Sequence, residues 1–224
     1  MDKMTSRIIL TLMKSFTVMA SDLSGARRGP DRRAVLAGLG AAALLPALPA
    51  HALSVDEADA VIQRVTGEIN AVINAGHSEA RVFAEFEKIF ARYCDMPIIA
   101  RSALGVEARA ASAAQMAAFT KAFQAYIARK YGRRFREYAG GRLEVRSARA
   151  VKSFYEVVTV AFAPDTAPFE VVFLVSDRSG RDLFFNIIVE GVNMLTAERE
   201  EIRALLDARR GNLDQLIREL PALG

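Results

Sequence analysis

The chain has 224 residues, of which 52% are hydrophobic and 25% charged, with a formal net charge of +4 and one cysteine. A single cysteine excludes an internal disulfide. The excess charge lies entirely in residues 1–52, which hold seven lysines and arginines against three aspartates. Residues 53–224 are therefore about neutral, so their charge does not indicate nucleic acid as a partner. They are numerous enough for one domain with a sizeable core.

Residues 1–52 have the pattern of a cleaved export leader. Arg32 and Arg33 precede an apolar run over 34–50, which ends in the small-residue sequence Ala50-His51-Ala52. Two glycines and two prolines interrupt the run, so it is a poor membrane-spanning helix. The arginine pair resembles a twin-arginine (Tat) export signal. We expect cleavage before Leu53 and a periplasmic protein; the Tat or Sec route and the true start codon stay open, and a buried N-terminal helix is the alternative.

The first half of residues 53–224 is predicted to be helical. Serines with capping patterns, a proline suited to a first helical turn, and glycines suited to helix ends mark four segments. The helices begin near Ser54, Ser78, Pro97 and Ser112 and reach Gly76, Tyr93, Gly105 and Tyr138.

Strands follow the Gly140–Gly141 pair. Residues 142–150, 153–163, 168–176 and 182–190 are rich in valine, phenylalanine and isoleucine, and residues 177–180 suit a hairpin turn. Two helices are predicted after them, from about Thr196 to Arg210 and from Asn212 to Leu220, where Pro221 ends the second. The order predicts one α+β domain over 53–224, with a twisted antiparallel sheet of about four strands wrapped by helices.

Catalytic candidates are few. His77 is the one histidine of residues 53–224, and we interpret it as an exposed loop residue. Cys94, beside Asp95, has no second cysteine for redox chemistry and suits a small buried hydrophobe. No metal-ligand cluster, phosphate-binding glycine loop or nucleophile elbow appears. We therefore predict no enzyme, no cofactor and no metal, with an enzyme using His77 and Asp95 as an alternative.

Two apolar surfaces are long enough to line a lipid chain. The predicted long helix carries an apolar stripe every three or four residues, and the strands are apolar on both faces, so the sheet needs cover on both sides. A hydrophobic ligand and an ordinary packed core are both compatible with this pattern. The stripe comprises Met116, Phe119, Phe123, Ile127, Tyr131, Phe135 and Tyr138. Its last turns, "RKYGRRFREY" at 129–138, are interpreted as cations that complement the helix macrodipole, with partner docking left open.

Three segments carry a family resemblance. They are "DMPIIARSALG" at 95–105, "FFNIIVEGVNMLTAERE" at 184–200 and "GNLDQLIREL" at 211–220. Their order resembles the MlaC family of soluble periplasmic phospholipid carriers, also called toluene-tolerance auxiliary proteins. The family positions are Ala100, Arg101, Leu104, Gly105, Phe185, Asn186, Glu190, Gly191, Val192 and Asn193.

The chain departs from the family at several of these positions. The family usually has Tyr-Asp where Phe185 and Asn186 stand and serine where Asn193 stands, and it commonly places a tryptophan near Asp182. These departures concern the ligand more than the fold. A branch of the family is associated with hopanoids, so a hopanoid is the rival cargo to a phospholipid.

The resemblance implies an NTF2-like fold that encloses acyl chains in a hydrophobic cavity. It implies a carrier that shuttles phospholipid between the outer and inner membranes and supports outer-membrane lipid asymmetry. The implied partners are an outer-membrane lipoprotein complex and an inner-membrane ABC transporter complex. A hopanoid carrier, an enzyme on an NTF2-like fold and a lipid-free envelope adaptor are the alternatives.

The predicted lipid site joins the long helix to the strands, since these are the two surfaces of sufficient length. Side chains from the helix are expected to face side chains from the sheet across the acyl chains, with one methionine near the exit. The residues are Phe119, Phe123 and Ile127, facing Val158, Val160, Val172, Leu174, Phe185 and Ile187, with Met194 at the exit. Which face of each strand points inward is left open.

Overall fold

The structure is a computed structural model and describes residues 53–224. The predicted export leader, residues 1–52, lies outside the described residues. The helices are α1 (Val55–Asn74), α2 (Glu79–Tyr93), α3 (Met96–Leu104), α4 (Ala113–Arg136), α5 (Met194–Asp207) and α6 (Leu213–Leu223), with a 3₁₀ turn at Gly105–Arg109. The strands are β1 (Arg142–Val151), β2 (Phe154–Ala163), β3 (Thr166–Ser176), β4 (Leu183–Val189) and the two-residue β5 (Val192–Asn193). The predicted α+β class is confirmed.

The helix starts follow the capping residues. Ser54 and Glu57 form the predicted capping box at α1, and Ser112 forms another with Gln115 at α4. These side chains satisfy backbone N–H groups that have no partner inside the helix. The described helices include none that is both long enough and apolar enough to cross a membrane.

Two predicted boundaries near the C-terminus differ from the structure. Helix α5 begins at Met194 and not Thr196, because the Asn193 side chain accepts a hydrogen bond from the Thr196 backbone N–H at 3.1 Å. Helix α6 continues to Leu223 with Pro221 inside it. Proline lacks an N–H and forgoes one backbone bond, yet the last turn stays helical around it.

The five strands form one antiparallel sheet in the order β1-β2-β3-β4-β5. Val157 lies opposite Phe173, and Val158 lies opposite Val172. Because side chains alternate along a strand, these two pairs occupy opposite faces of the sheet. Val157 and Phe173 belong to the main hydrophobic core, so we call their side the core face and the other the outer face.

The helices form a layer over the core face. Helix α1 packs along β1, whereas α3 and α5 contact β4 at the other side of the sheet. The long helix α4 packs chiefly against α2, α3 and α6. One hydrophobic core therefore connects the helix layer with the core face.

The β1 side of the sheet is joined to α1 by asparagine side chains. Asn70 accepts a hydrogen bond from the Leu143 N–H at 2.8 Å and donates to the Leu143 carbonyl at 3.0 Å. Asn74 accepts from the Gly140 N–H at 2.9 Å and donates to the Gly141 carbonyl at 3.1 Å. These amides occupy backbone groups that an edge strand otherwise leaves unpaired.

Candidate functional site

The predicted helix residues lie in the core. Phe119 and Phe123 are both fully buried, and Ile127 is 6% exposed. The ring of Phe123 lies 5.7 Å from that of Phe119 and 6.0 Å from that of Tyr126, measured between centroids. The apolar stripe of α4 therefore points into the interior of the protein, as its spacing predicts.

The predicted strand residues do not share one face. Ile187 lies opposite Phe173 on the core face and packs against the main core. Val158 and Val172 pair on the outer face, and Leu174 follows two residues after Val172 on the same side. Val160 lies two residues from Val158 and is also on that side.

Phe185 belongs to the outer face as well. A register shift in the β3–β4 pairing falls at this residue, and its ring meets Phe154 edge-on at 5.9 Å. The expectation that α4 faces Val158, Val160, Val172, Leu174 and Phe185 is thus corrected. Since alternate side chains point to opposite sides of a sheet, these five residues and the α4 stripe are separated by the sheet itself. Lipid contact at any of the ten residues stays a prediction.

Residues outside the predicted lipid site occupy much of the core face. Val157 and Val175 are fully buried, and the rings of Phe173 and Phe184 meet edge-on at 5.3 Å. Both faces of β2 and β3 carry apolar residues, so hydrophobic patterning alone could not identify the inward one. The polar residues Glu156 and Glu170 lie on the outer face and were the sequence feature that could have identified it.

Two depressions lined by described residues are polar and lie away from these side chains. One of about 350 Å³ lies between α1 and β1 and the other, of about 460 Å³, lies at the α5–α6 connection. They are lined by Gln63, Thr66, Gly67, Asn70, Glu144 and Val145, and by Ala208, Arg209, Arg210, Asn212 and Gln215. The predicted lipid residues contribute to neither.

A cluster of ionisable side chains connects α4 to α5. Lys130 donates to Glu198 Oε1 at 2.8 Å and also to Glu201, and Tyr131 donates to Glu198 Oε1 at 2.6 Å. Tyr126 donates to Glu201. We call these five residues the α4–α5 cluster. Glu198 is only 4% exposed, and its Oε2 is buried without a hydrogen-bond partner.

The charges of the α4–α5 cluster are uneven, with two carboxylates sharing one lysine. Burial raises the pKa of Tyr131, and the Glu198 carboxylate raises it further. Tyr126 has a raised pKa for the same two reasons. Burial favours a higher pKa for Glu201, but hydrogen bonds from Lys130 and Tyr126 outweigh burial and lower it. The tyrosines therefore act as hydrogen-bond donors to the carboxylates at neutral pH.

The residues that differ from the usual family pattern join β4 to the start of α5. Asn186 donates to the Asn193 side chain at 3.0 Å, and its own oxygen accepts from the Leu195 N–H at 3.2 Å. Asn193 in turn caps α5. Asparagine supplies both a donor and an acceptor, which this arrangement uses.

The catalytic candidates are apart from this region or have structural roles. His77 is exposed at the junction of α1 and α2. Cys94 is buried, which raises its pKa well above that of a free thiol and disfavours the nucleophilic thiolate. Asp95 is buried and caps α3 through a hydrogen bond from the Ile98 N–H. Residues 53–224 contain no group of three or more His, Cys, Asp or Glu side chains that could hold a metal.

Comparisons with known proteins agree with this fold. Residues 61–222 match the family model of the MlaC protein. The fold is similar to that of a phospholipid-binding protein from Ralstonia solanacearum, solved in complex with a phospholipid, with a TM-score of 0.63. The match has 15% sequence identity and covers 74% of this chain and 96% of that chain. No curated protein matches the sequence. The family match spans most of the chain, which therefore belongs to the MlaC family.

Proposed function

We propose that this member of the MlaC family is a periplasmic lipid carrier, which binds a phospholipid and moves it between the outer and inner membranes. It would serve as the soluble component of an ABC-type lipid transport system. The observation that carries the proposal is the family match over residues 61–222, on a fold similar to that of a phospholipid-binding protein. The expected partners are an inner-membrane ABC transporter complex and an outer-membrane lipoprotein complex.

A carrier of this kind has a clear physical purpose. Each methylene group that leaves water is stabilised by about 0.8 kcal/mol, so a free acyl chain crosses an aqueous compartment very slowly. A protein interior shields the chain from water during the crossing. This step requires binding and release, and it needs no nucleophile, metal or cofactor.

We place the acyl chains between α4 and the core face of the sheet. Phe119, Phe123 and Ile127 from the sequence prediction lie on the helix side of this interior, and Ile187 lies on the sheet side. Val157, Phe173, Val175 and Phe184 complete the sheet side. Met194, half-buried at the first position of α5, suits the predicted place near the exit.

Export and cleavage before Leu53 are part of the proposal. The Leu53 N–H donates to Asp177 Oδ2 at 3.1 Å, Tyr155 donates to the Leu53 carbonyl, and the side chain is 3% exposed. Cleavage at this position would turn the Leu53 nitrogen into an ammonium group beside a carboxylate. N-terminal sequencing of periplasmic protein should give leucine and then serine; a longer N-terminus would contradict the cleavage.

The function is tested by native mass spectrometry of protein purified from the periplasm, with extraction and identification of the bound lipid. We expect one phospholipid per protein. A hopanoid in the extract would instead support the hopanoid-carrier alternative. Ligand-free protein that also takes up no lipid from vesicles would contradict the carrier function and leave a lipid-free adaptor.

An enzyme based on His77 is distinguished by substitution. His77→Ala should leave lipid binding and lipid transfer unchanged, because the residue is exposed at a helix junction. A loss of function in His77→Ala with unchanged folding would favour the enzyme.

A further inference from the structure

The α1–β1 boundary and the α4–α5 boundary are closed by different kinds of contact. On the β1 side, α1 packs closely along the strand and pairs with its backbone through Asn70 and Asn74. On the β4 side, Cys94 and Asp95 pair with the Phe184 backbone and α5 packs against α3 and β4, yet few of the α5 backbone atoms come close to α4. The long side chains of the α4–α5 cluster form the polar link between these two helices.

Helix α5 covers part of the interior in which we place the lipid. Ile202 and Leu206 are buried in the same hydrophobic core as Phe119 and Phe123. Moving α5 away from α4 would therefore open that core to solvent between the two helices. The same movement would leave the contacts of α4 with α2 and α6 in place, with α5 turning along its packing against α3, to which Arg199 also binds through the Ser102 carbonyl at 2.7 Å.

The start of α5 has the features of a hinge. A two-residue turn, Glu190 and Gly191, connects β4 to the two-residue strand β5, and both turn residues have positive φ, 48° and 78°. Asn186 holds Asn193 and the Leu195 N–H, which fixes this end of α5 to β4. The cluster residues Glu198 and Glu201 lie one to two turns further along the helix.

The closed arrangement is incompletely satisfied. Glu198 Oε2 is buried without a hydrogen-bond partner, and two carboxylates compete for the Lys130 ammonium group. Burying a charged oxygen without a partner is costly, so the closed state is less stable than a fully bonded one. Opening would return Glu198 and Lys130 to water and recover part of this cost.

We propose that α5 is a hinged flap over the lipid site, pivoting at residues 190–195, and that the α4–α5 cluster is the latch that holds it shut. This inference rests on the proposed lipid-binding function. Acyl chains enter and leave between α4 and α5 when the latch opens. The latch therefore controls the rate of lipid exchange and has little effect on how much lipid is bound at saturation.

The test compares lipid transfer rates in latch variants. The Lys130→Met/Glu198→Gln double variant removes both charges together, so no buried ion is left unpaired. Protein loaded with a headgroup-labelled fluorescent phosphatidylethanolamine is mixed with vesicles of phosphatidylethanolamine and phosphatidylglycerol, and the transfer is followed over time. We expect transfer about tenfold faster than in the wild type, because charge-assisted hydrogen bonds to the flap are lost. The amount of lipid bound at saturation should be unchanged.

Two further variants separate the latch from general loosening. Arg136→Met removes an ion pair of α4 with Glu79 at the start of α2, at 3.2 Å, and should leave the transfer rate unchanged. Glu201→Gln alters the exposed member of the cluster, and we expect a smaller acceleration. Glu201→Gln also decides the question if the double variant does not fold.

If lipid content is normal, an unchanged transfer rate in the folded double variant would overturn the flap. If only Glu201→Gln folds, an unchanged transfer rate in that variant would overturn it. Equal acceleration in Arg136→Met would also overturn it, because the effect would then be a general one. A wild-type protein that takes up no lipid would instead overturn the proposed function, and the flap with it. Faster hydrogen exchange of the α5 amides in ligand-free latch variants would support the flap by a measurement that needs no lipid.

Discussion

The α1–β1 boundary and the α4–α5 boundary close the same core by different means. Asn70 bonds to both backbone groups of Leu143, so α1 extends the hydrogen bonding of the sheet itself. Helix α5 is held against α4 by ionisable side chains, one of which keeps an unpaired buried oxygen. The α1–β1 boundary is therefore closed by backbone pairing, whereas the α4–α5 boundary is closed by side-chain contacts that water can replace.

The proposed carrier function requires such a difference. A lipid must be enclosed during transit and released at a membrane complex, so one boundary of the interior has to open without unfolding the rest. Segments that open locally make fewer buried apolar contacts than the core does, and more of their hydrogen bonds are exposed to solvent. The α4–α5 boundary has this character and the α1–β1 boundary does not.

The largest expected effect comes from removing Lys130 alone. Lys130→Met leaves the buried Glu198 without its cation, and we expect a loss of about 3 kcal/mol in the free energy of unfolding. Urea denaturation of the variant measures it. The Lys130→Met/Glu198→Gln double variant should lose less unfolding free energy than Lys130→Met. A larger loss in the double variant would contradict the view that an unpaired Glu198 causes the loss.

Asn70→Ala should have a smaller effect on stability. The substitution leaves the N–H and carbonyl of Leu143 without their partners, which costs about 1 to 3 kcal/mol. The lipid transfer rate should stay as in the wild type, since the proposed opening lies between α4 and α5 and leaves α1 in place. Gln63→Ala is the matched control, because within residues 53–224 that side chain bonds to Asp59 on the same helix and not to β1. Faster transfer in Asn70→Ala would remove the distinction between the two sides.

Acid should weaken the β4 side through Glu201. Its pKa is lowered in the folded protein, so its stabilising contribution is complete above the unfolded pKa and is lost as pH falls through the folded value. The difference in unfolding free energy between the wild type and Glu201→Gln should shrink between about pH 6 and pH 3. Because the Glu201 side chain is 46% exposed, we expect less than about 1 kcal/mol.

Glu144 is the matched control on the β1 side. A hydrogen bond from Arg142 lowers its pKa in the folded protein, but its cations, Arg142 and Arg146, lie two residues away on the same strand, so part of this attraction persists in the unfolded chain. Glu144→Gln should therefore change the acid dependence of stability less than Glu201→Gln does. A larger change in Glu144→Gln than in Glu201→Gln would show that the α4–α5 cluster contributes little to holding α5 against α4.

Local chemistry made much of the fold predictable. The serine caps at Ser54, Ser78 and Ser112 stand at the predicted helix starts, and the Gly180 N–H closes the predicted turn onto the Asp177 carbonyl. These features depend on residues within four positions of one another, which the sequence displays directly. The spacing of Phe119 and Phe123 likewise indicated that both are buried.

The parts that were not predictable depend on distant residues. Val158 and Val157 are equally apolar, and only the pairing of the whole sheet and its contact with the helices determine which one faces the core. Lys130 was interpreted as a cation near a helix end, whereas it binds Glu198, 68 positions later. Hydrophobic periodicity gives no information about a charged partner that lies so far along the chain.

The central claim is that the lipid chain lies between α4 and the core face of the sheet. Its most direct test is photocrosslinking with a phospholipid that carries a photoreactive group within one acyl chain, followed by mass spectrometry of the labelled peptides. We predict labelling at Phe119, Phe123 or Ile127 on α4 and at Val157 or Phe173 on the core face. Labelling confined to outer-face residues such as Val158, Val160 and Val172 would contradict the claim.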